Sequence, residues 1–241
     1  NSWIVTTNKS KYFLQETNQI KRKFISQEIK VLEYLQTKNF PNLKFIKNTQ
    51  GKKITFLDKS FILLSEFIEG FSPNKFNNLS INQITNAAIT LAKYHKVMED
   101  YPIPEHKVSN TPNRVEALSI CNGVKEKIKN KTILDNFDKE ILEIIDKKID
   151  LLQNFKIDKL ERLKECPKIF CHGDYHGANL IFNKNEKVIG IVDWELSGKG
   201  YRIWEVLRSM SFLCDIDYNG SMIGPIDFKK ALKYLQAYHN S

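Results

Sequence analysis

Three polar side chains surround one predicted hairpin in the last third of the chain: Asp174, Asn179 and Asp193. Asp174 follows a short apolar strand, Asn179 opens the next strand, and Asp193 ends the strand that returns. Because the start of one antiparallel strand lies beside the end of its partner, we expect Asn179 and Asp193 to be neighbours. An amide oxygen and a carboxylate oxygen suit Mg²⁺, which also takes oxygens from phosphates. Asp174 would then be available to accept a proton from an attacking hydroxyl.

The elements that would position these residues are β-rich at first and mostly helical afterwards, which predicts an α+β fold. The predicted elements are a hairpin of 3–7 and 12–15, a helix over 26–35, strands 53–57 and 61–67, a helix capped by Ser80 with Gln83 as its capping-box partner, two or three helices within 113–165, a strand 169–171, and a hairpin of 180–182 and 188–192.

The composition is that of a soluble globular protein and excludes a disordered or fibrous chain. The 241 residues are 41% hydrophobic and 27% charged. No apolar run approaches the roughly 18 residues of a membrane span, and no signal-peptide pattern is present. The four cysteines form no CxxC pair. This usage predicts reduced thiols and a cytoplasmic location.

The chain is basic, with 37 Lys and Arg against 28 Asp and Glu and a net charge of +9. Two interpretations stay open, because the lysines are scattered and not clustered. The positive charge attracts anions, whether nucleotide phosphates, nucleic acid or an acidic partner, or it belongs to a Lys-rich surface without a partner. We expect no nucleic-acid partner.

Two motifs together resemble the signature of a known family. They are His172-Gly173-Asp174, followed after four residues by Asn179, and Ile191-Val192-Asp193-Trp194-Glu195. The pair resembles the aminoglycoside phosphotransferases and choline kinase-like enzymes, with spore-coat relatives of the CotS type. The resemblance covers nearly the whole chain and implies a two-lobed protein-kinase-like fold. Its small β-rich N-lobe would be residues 1–66, without the family's first strand, and its larger helical C-lobe would be 67–241, with the catalytic hairpin at 169–195. We expect both ends of the chain to be trimmed.

The resemblance implies ATP-dependent transfer of the γ-phosphate to a hydroxyl of a small molecule. Asp174 would be the catalytic base or the substrate-orienting carboxylate. Asn179 and Asp193 would hold the Mg²⁺ ions that bridge the nucleotide phosphates. His172 would anchor the catalytic loop. Gly173 stands where protein kinases carry an arginine that answers a phosphorylated loop, which favours a small hydroxyl compound over a protein as acceptor.

The resemblance also implies nucleotide contacts in the N-lobe. Ser65 would contact the adenine through its C=O and Phe67 through its N–H. Glu28 would match the glutamate that pairs with the family's strand lysine. The sequence departs from the family at that lysine, because Gln15 stands there and brings no charge. Lys11 lies on the same strand face but about 13 Å away.

Several alternatives stay open. Gln15 favours a non-catalytic relative, either a kinase-like binding protein or a spore-coat protein. The residues His172, Asp174 and His176 also spell H-x-D-x-H, a pattern that can hold a metal in hydrolases.

Three further side chains are open to more than one interpretation. Glu195 either supports Asp193 or caps a helix. Glu205 either ties the next helix to the catalytic loop or is a solvated acid. We expect His95 to be a satisfied core histidine.

Overall fold

The computed structural model describes residues 1–18, 22–73, 79–102, 114–154, 162, 165–216 and 225–241. The chain divides into two compact units, one of Asn1–Ser109 with Pro167–Ser241 and one of Asn110–Cys166. The predicted lobes of residues 1–66 and 67–241 both contribute to the larger unit. The lobe boundary at residue 66 stays a prediction.

Eight strands and six helices are described, and they confirm the α+β class. The strands are β1 Ser2–Thr6, β2 Lys11–Asn18, β3 Ile54–Phe56, β4 Ser60–Glu66, β5 Lys168–Cys171, β6 Leu180–Phe182, β7 Val188–Ile191 and β8 Gly198–Tyr201. The helices are α1 Arg22–Thr37, α2 Ile81–Val97, α3 Arg114–Lys129, α4 Asn136–Asn154, α5 Arg202–Leu213 and α6 Phe228–His239. Short 3₁₀ helices lie at Met98–Asp100 and Gly177–Asn179.

The N-terminal strands form one antiparallel sheet in the order β1-β2-β4-β3. Gln15 on the central strand β2 is opposite Ser2 of β1 and Leu63 of β4. Ile25 and Ile29 of α1 pack on Phe61 and Leu63 of β4, so one helix face is buried against the sheet. The strands predicted at 53–57 and 61–67 are present, and the helix predicted over 26–35 is longer at both ends.

Helix α2 begins where the sequence predicts. The Ser80 hydroxyl accepts from the Gln83 N–H at 3.1 Å, and the Gln83 side chain accepts from the Ser80 N–H at 2.8 Å. This reciprocal capping box satisfies two donors that the first turn would otherwise leave unpaired. The capping-box prediction is therefore confirmed.

The three largest side chains that are almost fully buried in the described main core are Trp194, Tyr94 of α2 and Tyr234 of α6. The Tyr94 and Trp194 rings meet edge to face with centroids 5.5 Å apart. The Tyr94 hydroxyl donates to the Phe170 carbonyl of β5 at 2.7 Å. Tyr94 therefore joins helix α2 to both ends of the segment 169–195, which carries the predicted hairpin.

Two short strand pairs complete the larger unit: β5 with β8, and β6 with β7, both antiparallel. The β6–β7 hairpin matches the prediction. Strand β8 was not predicted, since its sequence Gly198-Lys199-Gly200-Tyr201 has two glycines, which are depleted in strands.

The second unit contains α3 and α4, both within the predicted helical region 113–165. An Arg114 guanidinium N–H of α3 donates to the Gln153 carbonyl of α4 at 2.7 Å, and Lys125 forms an ion pair with Asp146. In the described part of the chain, no helix combines the length and the apolar character that crossing a membrane requires.

Gly70 lies where the chain passes directly over the β6–β7 hairpin. A Cβ there would lie 2.5 Å from the Phe182 carbonyl oxygen and 2.6 Å from Ile181 Cγ2. We expect Gly70→Ala to lower the free energy of unfolding by about 1–3 kcal/mol, because the backbone must shift to admit the methyl group. Gly123→Ala in α3 is the matched control. Its Cβ meets no atom within 4 Å, so it should stabilise by about 0.5–1 kcal/mol. Urea unfolding of both variants measures the difference, and equal effects would contradict this account of Gly70.

Candidate active site

A cavity of about 520 Å³ lies in the larger unit. Its wall includes Gln15 of β2, Glu28 of α1, and three residues of the 169–195 segment, Asn179, Asp193 and Glu195. Five residues that the sequence singles out therefore line one cavity: Gln15, Glu28, Phe67, Asn179 and Asp193. Glu195, which had two open interpretations, lines it too, whereas Asp174 is not among the described wall residues.

Asn179 and Asp193 are held together by the strand pairing. Leu180 is opposite Ile191, and the Val192 N–H donates to the Asn179 carbonyl at 3.0 Å. Asn179 is buried and Asp193 is exposed. Asp193 has φ +62°, so the chain turns in the left-handed region directly at this carboxylate.

Asp174 lies next to Asn179 and is fixed by three side chains. Arg208 Nη2 donates to Oδ1 at 3.0 Å, and His176 Nε2 contacts Oδ2 at 3.2 Å. The Asn179 amide donates to the Asp174 backbone carbonyl at 2.9 Å. Burial raises the pKa of Asp174, but the His176 hydrogen bond and the neighbouring positive charges outweigh it and hold the pKa below its ordinary value. Asp174 is therefore an ionised carboxylate near neutral pH.

His172 bonds both halves of the motif pair. Its Nδ1 accepts from the Asp174 N–H at 3.2 Å, so its Nε2 carries the proton that is donated to the Val192 carbonyl at 3.0 Å. Burial lowers the pKa of His172 and keeps the ring neutral. Its ring also packs on Trp194 with centroids 4.6 Å apart.

These bonds argue against the metallohydrolase alternative, because both nitrogens of His172 are already used. Within the described residues, no three His, Cys, Asp or Glu side chains are grouped so that they could hold a metal ion.

Glu205 of α5 ties the helix to the loop before Asp174. Its Oε1 accepts from the Gly173 N–H at 2.6 Å, and its Oε2 bonds His95 Nε2 at 2.8 Å. His95 Nδ1 meets the Tyr238 hydroxyl at 2.6 Å. Burial opposes the charge on Glu205, but the bonds from His95 and from the Gly173 N–H keep its pKa below the ordinary value. The structural tie is therefore the correct interpretation of Glu205, and His95 is a satisfied core histidine.

Gly173 must be a glycine for two reasons. Its φ is +83°, and a Cβ would lie 2.2 Å from the Leu196 carbonyl oxygen. The loop can therefore pass close to the segment that follows Asp193 only without a side chain.

The two residues predicted to contact adenine have different surroundings. Ser65 is buried within β4, opposite Phe13, and is absent from the described cavity wall. Phe67 lies on the wall between Glu66 and Ile68, and its N–H donates to the Lys11 carbonyl at 3.2 Å. The adenine contacts of Ser65 and Phe67 stay a prediction.

The Lys11 side chain pairs with Glu69 and does not line the described cavity. Its ammonium lies 2.9 Å from Glu69 and 5.8 Å from the centre of the Phe67 ring. The described cavity wall does not include it. Lys11 therefore does not replace the charge that is missing at Gln15.

Sequence reasoning missed Arg208 altogether. It is on α5, 34 residues after Asp174, and one guanidinium N–H also donates to the Gly173 carbonyl. No local pattern connects it with the motif pair. The only available signal was an arginine on the helix that also carries Glu205.

Comparisons with known proteins agree with this geometry. The chain belongs to the phosphotransferase enzyme family, whose model matches residues 1–223. A comparison with curated protein sequences finds no match.

Solved structures show the same fold. An aminoglycoside phosphotransferase from Alicyclobacillus acidocaldarius is 14% identical with a TM-score of 0.65, and the match covers 99% of this chain and 69% of that one. An amicoumacin kinase in complex with AMP-PNP and Ca²⁺ is 17% identical, with a TM-score of 0.62 and the same coverage. A Plasmodium vivax ethanolamine kinase is 17% identical with a TM-score of 0.59, over 100% of this chain and 68% of that one. The predicted resemblance and the protein-kinase-like fold are both confirmed.

The buried neutral His172 predicts a pH-dependent stability. Its pKa in the folded protein is below 6.5, so the unfolded chain binds a proton first as the pH falls. The free energy of unfolding should therefore fall below pH 6.5 by up to about 1.4 kcal/mol per pH unit. His172→Gln, which keeps a donor and an acceptor but does not titrate, should flatten the slope between pH 6.5 and 5. Urea unfolding across this range measures it, with His239→Asn at an exposed site as control. An unchanged slope in His172→Gln would contradict the assignment.

Proposed function

We propose that the protein is an ATP-dependent small-molecule kinase that transfers the γ-phosphate of ATP to an acceptor hydroxyl. One observation carries this proposal: the hairpin places Asn179 and Asp193 on one cavity wall, with the ionised Asp174 directly beside Asn179. The family membership supplies the coarser statement, since the chain belongs to a family of phosphotransferases. The amicoumacin kinase complex with AMP-PNP and Ca²⁺ supports the nucleotide and the cation by analogy.

Mg²⁺ fits the residues at the cavity wall. Asn179, Asp193 and Glu195 offer one amide and two carboxylates, a hard oxygen set of the kind that Mg²⁺ takes together with water and phosphate oxygens. We assign the cation to Asn179 and Asp193 and add Glu195 as a third candidate. When bound, the cation would neutralise charge on the nucleotide phosphates.

Asp174 orients the acceptor in this proposal. Its carboxylate accepts the hydrogen bond of the acceptor hydroxyl and takes the proton as the new O–P bond forms. The bond between the γ-phosphorus and the β,γ-bridging oxygen breaks, and ADP leaves. His172 and Glu205 hold the loop, so that Asp174 needs little rearrangement during transfer.

The nucleotide base would lie against the segment after β4. The Phe67 N–H donates to the Lys11 carbonyl and the Glu66 N–H donates to the Lys44 carbonyl, so we propose that the adenine contacts come from the Glu66 carbonyl and the Ile68 N–H, both in the wall. Gln15 and Glu28 would then face the phosphates.

The acceptor in this proposal is a small hydroxyl compound. The four free cysteines support a cytoplasmic location.

A non-catalytic binding or spore-coat role is the second candidate, favoured by Gln15. Thermal unfolding with ATP and Mg²⁺ separates the two. Nucleotide at 100 times its Kd should add about 2.7 kcal/mol to the free energy of unfolding. The absence of any shift at millimolar ATP would favour the non-catalytic role.

The Asp174→Asn variant tests the proposed chemistry. We expect it to lower kcat by at least about 10³-fold, because the neutral amide cannot accept the hydroxyl proton, while the ATP-induced thermal shift is retained. The measurement is ATP consumption with amino alcohols, sugars, amino acids and antibiotics as acceptors, followed by steady-state kinetics. Turnover equal to wild type on a confirmed acceptor would refute the role of Asp174.

The Gln15→Lys variant tests the position of the phosphates. A lysine on this wall would meet Glu28 on one side and the nucleotide on the other, so we expect ATP to bind about tenfold more tightly. Lys11→Gln is the matched control on the same strand, and it should change the Kd by less than about twofold, because Lys11 is absent from the described cavity wall. Calorimetric titration with ATP and Mg²⁺ gives both values. No change in Gln15→Lys would indicate that the phosphates do not pass this residue.

A further inference from the structure

The described part of the cavity wall carries no positively charged side chain. Its described residues include four carboxylates, Glu28, Glu66, Asp193 and Glu195, and no lysine or arginine. Phosphoryl transfer spreads negative charge over the oxygens of the moving group, and positive groups at that point contribute strongly to catalysis. Among the described residues, a cation supplied by this chain must therefore come from outside the wall.

Arg208 is a positive side chain beside Asp174, and neither residue is among the described residues of the cavity wall. Its guanidinium donates to the Gly173 carbonyl and to Asp174 Oδ1, the second bond being 3.0 Å long. It also lies over the Phe212 ring, 5.1 Å from the centroid. The Arg208 and Asp174 side chains are each 20% exposed, so the charge is partly shielded from water but open on one side.

The contacts around Arg208 fit charge stabilisation better than loop anchoring alone. A positive group on the base makes Asp174 a weaker proton acceptor. That is a disadvantage unless the base mainly orients the hydroxyl, which is the case in a loose phosphoryl-transfer transition state. The loop is already anchored at Gly173 by Glu205 and at Asp174 by His172.

We propose that Arg208 is a catalytic residue whose guanidinium donates hydrogen bonds to the phosphoryl group during its transfer. This inference rests on the proposed function. The acceptor hydroxyl must lie within hydrogen-bond distance of Asp174, whose Oδ1 already meets Arg208 at 3.0 Å. The hydroxyl, the attacked phosphorus and the guanidinium are therefore neighbours. The guanidinium has five N–H groups, and the two bonds use one each, which leaves donors for the phosphoryl oxygens. Arg208 stays protonated, and the hydroxyl proton goes to Asp174.

The first test uses a phosphoryl mimic and needs no acceptor. Thermal unfolding is measured with ADP and Mg²⁺, with and without aluminium fluoride, for wild type, Arg208→Gln and Arg202→Gln. Arg202 is the control, because it is on the same helix and pairs with Glu99 at the surface. We expect aluminium fluoride to add a further shift in wild type and Arg202→Gln but not in Arg208→Gln, with the ADP shift equal in all three.

The second test uses steady-state kinetics with an acceptor found by the screen. Arg208→Gln should lower kcat by about 10²–10³-fold with little change in the KM for ATP. Added guanidinium should raise the kcat of Arg208→Ala at least about tenfold and should leave the kcat of Asp174→Asn unchanged. A purely structural arginine would instead lower thermal stability and would not respond to guanidinium.

The outcomes separate this inference from the proposed function. An Arg208→Gln variant that keeps the aluminium fluoride shift or the wild-type kcat overturns the role of Arg208 alone. Failure of ADP and ATP to stabilise wild type overturns both proposals. Loss of the fluoride shift together with an intact ADP shift supports Arg208, whichever acceptor the enzyme uses.

Discussion

A neutral imidazole joins the two halves of the site. His172 accepts from the backbone at Asp174 and donates to the carbonyl at Val192, one residue before Asp193. One rigid ring therefore sets the separation between the loop carboxylate and the end of the hairpin. The ring is buried against Trp194, which fixes its orientation. The carboxylate of Glu205 holds the preceding peptide of the same loop, through the Gly173 N–H, so the backbone around Asp174 is constrained from the strand side and from the helix side.

The local parts of this arrangement could be predicted from the sequence. The Ser80 cap depends on residues three positions apart, and the hairpin of β6 and β7 depends on a short turn, so both leave clear patterns. The contacts of Glu205 and Arg208 with the loop leave none, since they join residues 32 and 35 positions from Gly173. Their placement depends on how α5 packs against the loop, and the pattern of apolar residues within a single helix does not reveal its packing partner.

The nucleotide side shows how strand register limits prediction. Backbone N–H groups alternate between the two sides of a strand, so neighbouring residues donate to different partners. The Phe67 N–H donates to the Lys11 carbonyl and the Glu66 N–H to the Lys44 carbonyl, while the described wall contains Glu66, Phe67 and Ile68. The motif indicated this segment, but it could not tell which peptide groups the neighbouring chain segments had already used. The absence of a charged partner at Gln15 was visible in the sequence, whereas the acidic character of the described wall required the fold.

Asp193 and Trp194 are adjacent but have opposite environments. The left-handed turn at Asp193 exposes its carboxylate, while the next side chain is 1% exposed in the core and its indole N–H donates to the Ile191 carbonyl at 3.1 Å. The backbone at Asp193 therefore cannot shift without moving an anchored indole. An oxygen ligand on a fixed backbone suits an ion with strict octahedral demands better than a larger ion that adapts its shell. On the proposed assignment, discrimination between Mg²⁺ and Ca²⁺ is thus a property of hydrophobic packing as much as of the ligands themselves.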